Sequence, residues 1–131
     1  MLFRSARADA NTARRQAAIA FLGTAWDKDG RVRETLFGVA RTDGDLSMRL
    51  SALGTLQAYA VKNHDQAGAV NAALLDVARA DGNPDLRAQA LSSVEIRGAK
   101  DETVRQLASF LDDPSPAARM ASSDQIGRAH V

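Results

Sequence analysis

A self-similarity at a separation of 38 residues constrains this chain more than any other feature of its sequence. Val39-Ala40-Arg41-Thr42-Asp43-Gly44 is followed by Arg49 and Ala52-Leu53, and Val77-Ala78-Arg79-Ala80-Asp81-Gly82 by Arg87 and Ala90-Leu91. Upstream, Val32, Leu36, Val39 and Ala40 correspond to Val70, Leu74, Val77 and Ala78, an apolar stripe at helical spacing in each copy. A shorter third copy has Val104, Leu107, Ala108 and Leu111, then Asp113, Pro114 and Arg119. In all three copies the aspartate stands six residues before the arginine. A sequence that repeats a supersecondary unit in this way must bury the apolar flank of each unit against the next.

Each unit reads as a first helix, a tight turn and a second helix. The spacing predicts first helices over 30–42, 65–80 and 101–112, and second helices over 45–60, 84–97 and from 115 onward, with a leading second helix over 10–23 that lacks its partner. Asp27-Lys28-Asp29-Gly30, Asn63-His64-Asp65 and Gly98-Ala99-Lys100-Asp101 supply turn residues and side-chain oxygens for N-caps. Pro84 and Pro116 stand where a second helix begins, a position that tolerates a missing amide proton. Around Arg49, the residues Ala52, Leu53, Leu56, Tyr59 and Ala60 form one apolar side, while Ser51, Gly54, Thr55 and Ala58 fall opposite and leave a smooth, weakly polar surface. No segment reads as a strand. The fold class is therefore all-α.

The Asp-turn-Arg-x-x-Ala pattern of segments 43–53 and 81–91, with the matching segment 113–121, where Ala121 stands two rather than three residues after Arg119, and a weaker relative in Ala13-Arg14-Arg15-Gln16-Ala17, resembles the HEAT-repeat family. Glycine replaces proline after Asp43 and Asp81, and Met48, Leu86 and Ala118 stand where valine is usual, so the subfamily is left unassigned. The resemblance implies an α-solenoid, a right-handed superhelix of antiparallel helix pairs with about three repeats plus a leading half repeat, whose second helices line the concave side. It also implies a structural ladder of Asp43, Arg49, Asp81, Arg87, Asp113 and Arg119, in which these side chains tie the turn of one repeat to its neighbour.

Both ends resemble something other than protein. Ile126-Gly127-Arg128-Ala129-His130-Val131 is similar to the translation of a short-read sequencing adapter, and Met1-Leu2-Phe3-Arg4-Ser5 to that of its reverse complement. The expected repeat domain is thus 6–125, a fragment of a longer array, with 1–5 and 126–131 adapter-derived. Over the full 131 residues, 17 Lys and Arg face 16 Asp and Glu. Setting the ends aside removes Arg4 and Arg128 and turns the net charge from +1 to −1. Such a balance speaks against a generic nucleic-acid binder. With 45% hydrophobic but only 5% aromatic residues, the core must be mostly aliphatic. There is no cysteine, which removes thiolate metal sites and disulfides but leaves the compartment open, cytoplasm being the default. No apolar run approaches the roughly 18 residues of a membrane span.

No catalytic, cofactor-binding or metal site is assigned. His64 lies alone between Asn63 and Asp65, Asp112-Asp113 reads as a helix end, and neither a nucleophile elbow nor a phosphate loop occurs. Arg14, Arg15, Arg31 and Arg33 form a basic group diluted by Asp27, Asp29 and Glu34, and read as a solvated face. Trp26, Phe21, Phe37, Phe110 and Tyr59 read as packing residues. The expected function is a non-catalytic interaction module that offers Ser51, Thr55, Gln89 and Ser93 to a protein or peptide partner, with self-association through uncovered end faces. Two alternatives stay open: an enzyme or enzyme-associated relative, such as a bilin lyase-like maturation factor or a remover of alkylated DNA bases, and a regulatory arm of a larger membrane-anchored protein.

Overall fold

The computed structural model describes residues 2–25 and 29–129. Eight helices account for most of them: α1 (Leu2–Ala8), α2 (Thr12–Leu22), α3 (Arg31–Thr42), α4 (Leu46–Lys62), α5 (Ala67–Ala80), α6 (Pro84–Ser93), α7 (Asp101–Ala108) and α8 (Pro116–Ala129). Short 3-10 turns at His64–Gln66 and Ser109–Asp112 lead into α5 and out of α7. No strand occurs among the described residues, and no helix there is long and apolar enough to cross a membrane. The chain divides into two compact units, Met1–Val70 and Asn71–Val131, and the division falls within α5.

In the first unit two helix hairpins lie side by side. α1 pairs with α2 and α3 with α4, while α1 also touches α3 and α2 touches α4. The expectation that the leading helix stands unpartnered is therefore corrected. Ala6 of α1 is fully buried, and the turn Asp9-Ala10-Asn11 reverses the chain into α2; residues 2–5 of α1 belong to the segment expected to be adapter-derived. Ile19, Leu36, Leu53, Leu56 and Tyr59 are at most barely accessible, so the core is the aliphatic stripe read from sequence plus one tyrosine. That tyrosine is satisfied: its hydroxyl donates to Gln66 Oε1 at 2.6 Å, and Arg33 Nη1 donates to the same oxygen at 2.7 Å.

Close approach of α2 and α4 depends on Gly23. A Cβ built there would lie 2.6 Å from Thr55 Cγ2, and Thr55 is held in place because its Oγ1 donates to the Ser51 carbonyl at 2.8 Å. At the start of α3, Gly30 takes φ 77°, a left-handed conformation that a β-carbon would strain.

In the second unit α6 and α8 pack along each other, with α7 and its 3-10 extension against α8. Arg79 Nη2 on α5 donates to Gln106 Oε1 on α7 at 2.8 Å. The second helix expected over 84–97 stops at Ser93, because Val94 is extended at φ −62°, ψ 128° and turns its buried side chain, with that of Ile96, under the unit. The carbonyls freed there find a partner in Gln125, whose Nε2 donates to Leu91 O, Ser92 O and Val94 O at 2.9, 3.2 and 2.7 Å. Asn71 clasps the same loop, exchanging two hydrogen bonds of 2.9 Å with the backbone of Glu95.

The third apolar stripe also departs from its expected register. Leu107 is buried, but Ala108 is exposed and Leu111 is 41% exposed. The helix tightens to 3-10 winding at Ser109, and with three residues per turn Phe110 rather than Leu111 points inward.

Two substitutions test this packing. Gly23→Ala should lower stability by about 1–3 kcal/mol in urea denaturation, with part of the loss recovered by Thr55→Ser in the same chain. Gln125→Leu leaves three helix-end carbonyls without that donor, and a loss of about 1–3 kcal/mol is expected by the same measurement.

Candidate functional site

The turns between first and second helices are built alike four times. Asp9, Asp43, Asp81 and Asp113 each accept, through Oδ1, the backbone N–H of the residue two further on, at 2.9, 2.9, 2.9 and 2.8 Å. That second residue, Asn11, Asp45, Asn83 or Ser115, then caps the following helix through its own side-chain oxygen. Among the described residues, α3 begins at Gly30 and α7 at Lys100 without a side-chain cap, and Asn63 donates its Nδ2 to Tyr59 O and Ala25 O. Asp27 and Lys28 lie outside the described residues. Acidic side chains in the first turns, Glu34 on α3 and Asp101 and Glu102 on α7, still suit the helix dipole.

The arginine six residues after each turn aspartate bends back to its own turn. Nη1 of Arg15, Arg49, Arg87 and Arg119 donates to the carbonyls of Asp9, Asp43, Asp81 and Asp113 at 2.8, 2.9, 3.2 and 2.7 Å. In Arg15 and Arg87 the opposite edge of the guanidinium reaches the next turn. Arg87 Nη2 and Nε grip Asp113 Oδ1 and Oδ2 at 2.9 and 3.2 Å, with side-chain exposures of only 14% and 10%. Arg15 repeats this on Asp43, Nη2 to Oδ1 at 3.4 Å and Nε facing Oδ2 at 3.2 Å as an ion-pair contact rather than an aligned hydrogen bond. The Arg87 guanidinium, assisted by the Ser115 N–H, holds the Asp113 carboxyl below the usual aspartate range against the opposing effect of its burial. Asp45 is lowered as well, by hydrogen bonds from the Ser47 hydroxyl and N–H.

Asp9 and Arg15 form a copy of the device that the sequence reading missed. Their spacing of six was the available signal; it was hidden because Ala10-Asn11 replaces the Gly or Pro seen after the other aspartates. The basic group expected as a solvated face is dispersed. Arg15 is committed to Asp43, Arg33 to Gln66, and Arg31 lies 4.5 Å over the Phe3 ring, leaving Arg14 exposed.

The residues expected to meet a partner are placed unequally. Ser51 is half-buried and donates its hydroxyl to Gln16 Oε1 on α2 at 3.0 Å. Thr55 is half-buried against Gly23, whereas Gln89 is exposed. Ser93 is only 3% exposed and bonds back to Gln89 O at 2.8 Å, so it does not face solvent. Its place at the last residue of α6, where the chain turns inward, accounts for the difference. The exposed positions of the same helices include Gly54, Gln57, Ala58 and Ser92.

His64 is exposed, and among the described residues no carboxylate is bonded to it. No group of three potential metal ligands occurs among them either. An open cleft of about 600 Å³ beside the first two turns is lined by Arg7, Asp9, Arg15, Thr42, Asp43 and Asp45, but the three carboxylates already accept bonds from the turns. Of the aromatic residues, Phe110 is buried and Phe37 half-buried under Arg41, whereas Phe21 is 63% exposed and is not a core residue; Trp26 lies outside the described residues. Compared with known proteins, the chain matches no family model, no curated protein and no solved structure.

A carboxylate whose pKa is depressed on folding adds stability above its unfolded value, near 3.9, and that stability is lost as pH falls toward the folded value. Wild-type protein should therefore lose stability below about pH 4, and Asp113→Asn, less stable at neutral pH, should show a shallower loss there in urea titrations at stepped pH.

Proposed function

We propose that this chain is a non-catalytic interaction module of HEAT-repeat type, an α-solenoid segment that presents its second helices to a protein or peptide. The observation that carries this reading is the contrast between ladder and face. In α2 and α4 of the first unit the ladder arginines Arg15 and Arg49 are turned back into the turns, while Gln16, Ser51, Gly54 and Ala58 on the same helices are small or weakly polar; in the second unit α6 does the same with Arg87 and Gln89. A surface of this kind lets a partner approach closely at little desolvation cost, while scattered amides and hydroxyls supply orientation. The all-α, hairpin-paired architecture supports an interaction role in general terms. The HEAT assignment rests on the repeated Asp-turn-Arg-x-x-Ala pattern.

Selection of peptides from a displayed library against the folded chain tests the surface. Peptides that bind should lose about tenfold or more in affinity on Ala58→Arg or Ser92→Arg, both exposed and remote from the ladder, and keep it on Arg105→Glu on α7. Selected peptides that bind all three variants equally would reject the second-helix face.

A further inference from the structure

The repeated turn leaves two groups of opposite charge ungripped, one in each unit. One is Arg119. Its Nη1 is fixed by Asp113 O and Pro114 O at 2.7 and 3.2 Å, as Arg87 is fixed on its own turn. The other edge of its guanidinium, the edge that Arg15 and Arg87 give to a carboxylate, meets no carboxylate at ion-pair distance among the described residues, and the side chain is exposed. The other is Asp9. Its Oδ1 closes its own turn on Asn11 N–H at 2.9 Å, as Asp43 and Asp113 do, but among the described residues no arginine grips its carboxylate.

The flanks continue the same register. Inside the first unit, the residue one past the ladder arginine, Gln16, meets Ser51, two past the next; Gly23, eight past, receives Thr55, six past. Counted likewise, α8 offers Met120 and Gly127, and α2 offers Ala17 and Phe21. Met120 and Phe21 are 66% and 63% exposed, Ala17 is exposed, and a Cβ at Gly127 would meet nothing within 4 Å. Charge is divided in the matching sense: residues 1–70 carry ten Lys and Arg against seven Asp and Glu, and residues 71–131 seven against nine.

The geometry points to head-to-tail self-association, in which the α8 face of one copy seats on the α1–α2 face of a second copy of this chain. Arg119 grips Asp9 of the second copy as Arg87 grips Asp113, and Met120 and Gly127 receive its Ala17 and Phe21. The interface is heterologous, so each added copy presents a fresh face for the next. It uses none of Ser51, Ala58 or Ser92 and stands independently of the peptide-binding face.

Sedimentation velocity across a concentration series, with folding checked by circular dichroism, tests this with charge swaps. Wild type should form a ladder of oligomers that dissociates with added salt. Arg119→Glu and Asp9→Arg alone should each weaken association about tenfold or more, since both place like charges at the contact. An equimolar mixture of the two single variants should recover it, because the carboxylate introduced in one chain then meets the guanidinium introduced in the other, the same pair with its signs reversed. Phe21→Asp, an exposed position outside both turns, should weaken it similarly without touching the ladder. Wild type that stays monomeric, single variants that associate like wild type, or folded single variants whose mixture fails to recover would each overturn the proposal.

Discussion

An arginine that serves two turns at once is the interaction on which each unit depends. The guanidinium has donors on two edges in a fixed plane, so one edge can bond the carbonyl of its own turn while the other takes a carboxylate of the next. A lysine has a single ammonium and could not hold both directions. The aspartate is equally divided, closing its own turn through the N–H two residues on and receiving the arginine of the preceding turn. Because both groups are mostly shielded from water, loss of one leaves the other charged and poorly solvated, which is the costly outcome for an ion pair.

From the turn outward, local geometry sets packing. Capping by Asn11, Asp45, Asn83 and Ser115 fixes where each second helix starts, and the arginine that follows fixes how that helix is rotated. In the first unit that rotation brings Gly23, at the end of α2, against Thr55 of α4, so an aliphatic core can close with few aromatic residues. In the second unit α6 is short, and Gln125 from α8 and Asn71 from α5 supply the hydrogen bonds that its terminal carbonyls and the following loop need. These polar clasps sit at helix ends, where backbone groups lack intrahelical partners.

Much of this was legible in the sequence. The apolar stripes of the first two copies are buried as the 3.6-residue period implies, and Pro84 and Pro116 open their helices. The six-residue Asp-to-Arg spacing marked the ladder, because bending back to the turn requires that separation. Periodicity could not show which carboxylate each arginine would take, since that depends on the distance between turns far apart in sequence. Nor could it show that winding tightens at Ser109, that Val94 ends α6, or that Gln125 is buried; each turns on tertiary demand for hydrogen bonds or apolar cover rather than on local preference. The candidate face suffered for the same reason, since a helix ending four residues early carried Ser93 inward.

The proposed function rests on what the turns leave over. Within each unit an arginine is committed to joining turns, small or weakly polar side chains such as Gly54, Ala58 and Ser92 stay exposed on the second helices, and the proposed self-association would use the Arg87–Asp113 type of contact once more. A double-mutant cycle on Arg15→Gln and Asp43→Asn, read by urea denaturation, tests the ladder most directly. A guanidinium shared between two turns predicts a coupling of about 1–3 kcal/mol between these positions. Single losses that add to within about 0.5 kcal/mol would contradict it.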